Sequence, residues 1–119
     1  DVYKRQDFIL FKTGFEEYRN QEVYWRTAPG IVPELAEFLI ERCPSLKAIG
    51  MDFISISSLT DREKGREAHR TFLRKGILLF EDMSLAGVSS TSRIQKIIAL
   101  PLRFLKADGS PVTVVANLT

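Results

Sequence analysis

The sequence holds one cysteine, Cys43, and one histidine, His69. A lone cysteine excludes an internal disulfide and any zinc cluster built on several thiolates. Cys43 falls near the end of an expected helix, where a buried thiol acts as a small hydrophobe. Such cysteine usage fits a cytoplasmic protein. Nothing approaches the run of about 20 apolar residues that spans a bilayer, so neither a transmembrane segment nor a membrane partner is expected. No charged start followed by an apolar core and a small-residue cleavage site marks a secretory signal. Charge of one sign is lacking too. The 17 basic and 15 acidic residues leave a net +2 and are interleaved, as in Asp61-Arg62-Glu63-Lys64. A nucleic-acid binder shows a basic stripe instead, so no nucleic-acid partner is expected. Ser55, Ser57 and Ser58 form no nucleophile elbow, because no Gly-x-Ser-x-Gly is present. No phosphate-cradling glycine loop, internal repeat or low-complexity segment occurs.

What is present is the composition of one small domain: 119 residues, 45% of them hydrophobic and 27% charged, enough for a modest core. The opening Asp1-Val2-Tyr3-Lys4-Arg5-Gln6 has no initiator methionine and resembles a translated sequencing-library adapter. Residues 1–6 are therefore expected to be a scar, with residues 7–119 cut from a longer gene; a natural N-terminus is the alternative.

Phe8-Ile9-Leu10-Phe11 reads as a buried strand ended by Thr13-Gly14. Residues 16–28 are polar with embedded aromatics (Tyr18, Tyr24 and Trp25) and read as a loop or short helix. After the Pro29-Gly30 turn, Pro33 suits the first turn of a helix, and Leu35, Phe38 and Leu39 give it one apolar stripe. Glu34 and Glu37 favour its N-terminal end and Arg42 its C-terminal end, and Pro44 stops it. Residues 48–57 form an expected central strand with Asp52 inside it, followed by a charged loop over 58–65. A helix is expected over 66–75, closed by Gly76, then a buried strand over 77–80. Residues 84–92 read as a turn or loop. The apolar stretch 94–105 is broken by Pro101, which points to an edge strand or a bulge. Asp108-Gly109 signals a hairpin whose partner strand covers 112–116. Strands alternating with helices before a terminal hairpin predict the α/β class, with a mixed sheet and flanking helices.

Three side chains could carry chemistry. His69 lies three and four positions before Phe72 and Leu73 and shares their expected inward face; it is either a hydrogen-bonded core residue or a ligand. Glu81 ends an apolar strand on the same face as Ile77 and Leu79. A carboxylate there is costly unless paired or bound to metal, and Arg70, Arg74 and Arg103 are candidate partners. A helix, a tight glycine turn and a returning strand could bring His69 and Glu81 near one point. Imidazole and carboxylate are ordinary zinc or manganese ligands, yet a catalytic zinc normally has three from the protein. Asp52 is a support for metal ligands, a helix-capping acceptor or a salt-bridge partner.

Together these pieces resemble the cyclase family that includes bacterial kynurenine formamidases and isatin hydrolase-like enzymes. The resemblance rests on the strand running into Thr13-Gly14, Pro29-Gly30 before a helix, and Gly50-Met51-Asp52-Phe53-Ile54-Ser55-Ile56. It continues through His69-Arg70-Thr71-Phe72-Leu73, then Gly76-Ile77 and Glu81. It closes on Leu100-Pro101-Leu102 and Asp108-Gly109-Ser110-Pro111-Val112. It covers residues 7–119, and its specificity lies in the order and spacing of motifs that are individually weak. The resemblance implies a swivelling β/β/α-like domain truncated at its N-terminus. It implies His69 and Glu81 as ligands of a divalent metal, zinc or manganese, one or two ions.

The family's remaining ligands and its acid/base histidine lie in a His-x-Gly-Thr-His-x-Asp-x-Pro-x-His motif that this sequence lacks. No catalytic residue is therefore expected within it, and this part alone is expected to be inactive. The implied whole protein is an arylformamidase-like hydrolase, as in tryptophan catabolism to kynurenine. In it, metal-activated water attacks the carbonyl of an N-formyl aromatic amine or a cyclic amide. A small-molecule substrate and a homo-oligomer are the implied partners. Tyr18, Tyr24 and Trp25, expected to be exposed among polar neighbours, would line a substrate pocket or a subunit contact. Two departures bear on the substrate: the charged run 62–67, and Thr113 where many members carry arginine. A non-catalytic member of the same fold, serving in binding or as a scaffold, is the alternative, and an unrelated small α/β interaction domain is a third reading.

Overall fold

The computed structural model describes residues 2–119, with side chains from residue 4 onward; Asp1, part of the expected scar, lies outside the described residues. Two units follow one another, residues 1–87 and 88–119.

The first unit is built on three short parallel strands, β1 (Phe8–Phe11), β2 (Ala48–Met51) and β3 (Leu78–Phe80), in the order β1-β2-β3. Phe8 pairs with Ala48, and Gly50 pairs with both Leu10 and Phe80. Parallel neighbours need long crossovers. Here α2 (Pro33–Arg42) lies in the first crossover and α3 (Arg62–Arg74) in the second. A single turn, α1 (Val23–Arg26), precedes α2. All four residues of β2 are buried, as a strand covered on both faces requires. Gly50 belongs there because a Cβ would stand 2.5 Å from Met83 Sδ and 2.7 Å from Leu10 Cδ2. Ile49, Met51, Phe53, Ile56, Ala68 and Phe72 form the centre of the core, with Leu39 and the free thiol of Cys43 beside them.

Several boundaries differ from expectation. The central strand ends at Met51 rather than running on to residue 57. Its exit is set by Asp52, whose carboxylate is wholly buried and turns back to the end of β1. It accepts Thr13 N–H at 2.9 Å, Thr13 Oγ1–H at 2.7 Å and Gly14 N–H at 2.7 Å. The role seen for Asp52 is a structural one: its carboxylate ties the Thr13-Gly14 reversal to the end of β2.

The helix α3 begins at Arg62, four residues before its expected start, because the Asp61 carboxylate accepts Lys64 N–H at 3.3 Å and caps it. The charged stretch is thus the first turns of a helix. Its inward residues are Gly65, Ala68 and Phe72, whereas Leu73 is 54% exposed, so His69 shares a face with Phe72 alone. On α2, Phe38 is exposed and Ala36 buried. The expected stripe is rotated toward Ala36, and the Arg42 guanidinium covers the Phe38 ring at 5.5 Å.

The second unit is an antiparallel pair, β4 (Ile94–Pro101) and β5 (Val112–Leu118), with an irregular register between Ile94 and Lys96. The parallel and antiparallel strands therefore make two separate sheets within the α/β class. Pro101 closes β4 opposite Val112. Asp108-Gly109 is not a tight turn: it lies in a connection over 102–111. That connection is closed where Leu102 N–H meets Pro111 O at 2.9 Å, and Lys106 takes its positive φ of 61°. Among the described residues no helix is long and apolar enough to cross a membrane.

Replacing Asp52 by alanine removes the acceptor of three partly buried donors at once. Each such loss costs about 1–3 kcal/mol, so Asp52→Ala is expected to destabilise the protein by more than about 3 kcal/mol in urea unfolding. A change under about 1 kcal/mol would show that the tie does not hold the strand ends.

Candidate functional site

The carboxyl ends of parallel strands are where α/β sheets present ligand sites, and the candidate residues gather there. Helix α3 ends at Arg74 with Lys75 as its cap. Gly76, at φ 72°, turns the chain back as its N–H bonds Leu73 O at 3.0 Å and that of Ile77 bonds Phe72 O at 3.1 Å. The chain then runs up β3 and delivers Glu81, just past Phe80, to the flank of α3. His69 Nε2 stands 3.2 Å from Glu81 Oε1, with both side chains about one-third exposed (28% and 31%).

The other imidazole nitrogen fixes the chemistry of this contact. His69 Nδ1 lies 3.0 Å from Gly65 O. A carbonyl oxygen only accepts, so Nδ1 carries the hydrogen. In the neutral ring, Nε2 then offers a lone pair to a carboxylate oxygen that also offers lone pairs. The contact is attractive only with a proton or a bound cation between the two facing atoms. A backbone carbonyl on Nδ1–H with Nε2 left free is the usual arrangement of a metal-ligating histidine. The N···O separation fits as well, since ligand atoms about 2.0–2.1 Å from a tetrahedral ion stand about 3.3 Å apart.

Glu81 is held from the other side by the segment that leaves β2. Its Oε1 accepts Ser55 Oγ–H at 2.8 Å and Ile56 N–H at 2.9 Å, and Ser55 Oγ in turn accepts Ser57 N–H at 3.1 Å. Its anchors are thus a histidine, a serine and a backbone amide, and the arginine partner considered from sequence is not among them. Sequence reasoning missed Ser55 as that anchor, although the residue stands inside the Gly50–Ile56 motif. Gly65 matters twice. Its carbonyl sets the His69 tautomer, and a Cβ in its place would lie 2.3 Å from Ser57 Cα, so only glycine lets α3 approach the segment carrying Ser55. The pair supplies two ligand atoms, and among the described residues no cluster of three or more His, Cys, Asp or Glu gathers as a complete metal site.

A second cluster lies just beyond Glu81. Tyr24 is buried (3% exposed), not surface-exposed as expected, whereas Tyr18 and Trp25 are 42% and 43% exposed. The Tyr24 hydroxyl donates to Asp82 Oδ1 in a short hydrogen bond. Arg19 donates through Nε to the same oxygen at 3.1 Å and covers the Tyr24 ring at 5.6 Å. Phe15 stacks on the Tyr24 ring at a 5.9 Å centroid distance. Burial, aided by the hydrogen bond to Asp82, pushes the Tyr24 phenol up to about 12.

Comparison with known proteins shows what this chain resembles in sequence. The family model described as "Putative cyclase" matches residues 2–58. A kynurenine formamidase of Bacillus cereus is 37% identical over 91 residues, covering 73% of this chain and 41% of that protein. One from another Bacillus cereus strain is 34% identical over 107 residues, covering 90% and 47%. One from Geobacillus thermodenitrificans is 35% identical over 104 residues, covering 87% and 46%. No solved structure matches significantly. An α/β fold with a histidine–carboxylate pair at its strand ends is thus joined to sequence similarity along most of the chain: this chain belongs to the cyclase family. It spans slightly under half the length of the curated relatives it matches.

Two outcomes follow from this geometry. The folded state holds the Tyr24 proton more tightly than the unfolded chain, whose phenol titrates near 10. Its contribution is complete below pH 10 and is lost as pH rises toward about 12. Stability measured by urea unfolding should fall across that window, and Tyr24→Phe should flatten the fall; an equally steep fall in the variant would contradict the assignment. Gly65→Ala should cost about 1–3 kcal/mol by overpacking against Ser57, detectable in the same measurement, while a neutral result would mean that the approach is not tight.

Proposed function

We propose that the whole protein is a metal-dependent hydrolase of C–N bonds, arylformamidase-like, in which His69 and Glu81 hold a divalent cation, zinc or manganese. The observation that carries this reading is the His69–Glu81 contact, with Nδ1–H committed to Gly65 O and Nε2 facing a carboxylate oxygen 3.2 Å away. A proton on Nε2 satisfies that arrangement, and a divalent cation in its place would find a fitting imidazole and carboxylate. The names of the relatives, kynurenine formamidases, support an N-formyl aromatic amine as the substrate class. They favour it over the cyclic amides that other members of the family handle.

A divalent cation bound there supplies Lewis acidity, which makes water a nucleophile near neutral pH and polarises a carbonyl. The residues of this chain do the holding. Gly65 O keeps His69 in the tautomer that leaves Nε2 free. Ser55 Oγ–H and Ile56 N–H fix the Glu81 carboxylate. They also offset part of its charge, which limits the cost of placing it at the end of an apolar strand. The remaining ligands and the acid/base group are proposed to lie in the part of the protein outside these 119 residues. The exposed Tyr18 and Trp25 suit a subunit contact in a homo-oligomer.

The test uses the full-length protein, its metal content by elemental analysis and its hydrolysis of N-formylkynurenine. His69→Ala and Glu81→Gln should each lower both the bound metal and the rate by at least about 10- to 100-fold. Unchanged metal content and rate in His69→Ala would sink the assignment. A full-length protein that binds metal but hydrolyses no formamide would move the proposal to the cyclic amides, and one that binds no metal would leave a non-catalytic member of the fold.

A further inference from the structure

We infer that residues 15–26 form a positioning strap for Glu81, acting through Asp82: Arg19 and Tyr24 hold Asp82 in a left-handed backbone conformation that sets the preceding carboxylate against His69. The inference rests on the metal reading above and names the device that would orient one of its ligands.

Asp82 has φ 55°, and among the described residues only Lys106 is another non-glycine residue with positive φ. L-residues enter that region at a cost, and the short polar side chains of Asp and Asn tolerate it best. A conformation of this kind beside a functional group persists only where the surroundings over-determine it, and here they do. The Asp82 carboxylate takes the Tyr24 hydroxyl together with Arg19 Nε at 3.1 Å and Nη2 at 3.0 Å. Arg19 Nη2 also reaches Asp82 O at 3.3 Å and Met83 O at 3.1 Å. Further along, Glu16 accepts Leu85 N–H at 2.6 Å and Ser84 Oγ–H at 3.2 Å. From the sheet side, Asp82 N–H bonds Phe53 O at 2.9 Å and Met83 N–H bonds Met51 O at 2.8 Å.

Glu81 thus sits between two fixed points, Phe80 in the sheet and Asp82 under the strap. Were the strap released, residue 82 would relax toward negative φ, and the peptide plane shared with Glu81 would turn with it. A turn alone would be served by glycine, which adopts φ 55° freely. The carboxylate at this position adds the coupling to Arg19 and Tyr24. Neither strap residue bonds His69 or Glu81 directly, so both act on the pair at one remove.

Three variants of the full-length protein separate positioning from simple stability. Asp82→Gly keeps the turn and removes the carboxylate through which Tyr24 and Arg19 grip it, leaving only backbone contacts to Arg19; Asp82→Asn keeps the turn and an acceptor oxygen, and Tyr24→Phe removes one bond. Each is titrated with Co(II) after metal removal, its visible spectrum is recorded, and its metal-free melting midpoint is measured. Asp82→Gly should weaken Co(II) binding by about 10-fold or more and alter the spectrum, with Tyr24→Phe following in the same direction. Asp82→Asn should recover part of the loss. Variants with a lowered metal-free midpoint but wild-type Co(II) affinity and spectrum would overturn the inference, since the strap would then be structural only. Failure of the unaltered protein to take up Co(II) would instead overturn the metal reading, and this inference with it; the wild-type control alone distinguishes the two failures.

Discussion

A wholly buried carboxylate needs partners for its charge, and Asp52 finds them in dipoles: two backbone amides and one hydroxyl from the Thr13-Gly14 turn. The rest of the first unit depends on that tie. It fixes where β1 ends and where β2 leaves the sheet, and so where residues 53–57 run. Those residues carry Phe53 and Ile56 into the core and bring Ser55 and the Ile56 amide to Glu81. The same exit receives the next strand, since the amides of Asp82 and Met83 bond Phe53 O and Met51 O. The Asp52 tie and these backbone bonds together align the carboxyl ends of the three parallel strands, which is where such sheets place their chemistry.

Close packing then converts that alignment into a site. Helix α3 can approach the segment after β2 only because Gly65 has no side chain, and the carbonyl exposed by that glycine takes up His69 Nδ1–H. A residue usually unfavourable inside a helix thus serves both the helix contact and the tautomer of the histidine one turn on. The resulting pair holds a proton or a cation between His69 Nε2 and Glu81 Oε1, supported behind by donors, in a protein whose relatives are about twice as long as this chain.

Much of this was legible in the sequence. The apolar runs marked three short strands, although only β2 is fully buried; Pro33 and Pro44 bracketed α2, and Gly76 marked the return from α3 to β3. The ordered motifs pointed to the cyclase family, and the fold bears out the α/β class with parallel and antiparallel pairing. The misplaced boundaries have local causes. Asp61 looked like one more charge in a loop but caps a helix. The apolar run 48–57 looked continuous but is broken by the tie at Asp52. Tyr24 looked exposed among polar neighbours, yet Arg19 and Asp82, 63 positions apart in sequence, close over it.

By itself the sequence determined the residue types and the order in which they arrive: one histidine on a helix, a glycine turn, a strand, one glutamate. Those are properties of periodicity and local backbone preference, which act over a few residues. Tertiary structure alone decided which atoms meet. That Glu81 bonds Ser55 rather than an arginine, that Asp52 serves a turn, and that His69 presents Nε2 all depend on contacts across 4 to 39 residues of chain. Their geometry is set by how closely the elements pack, and packing distance is not written in any short stretch of sequence.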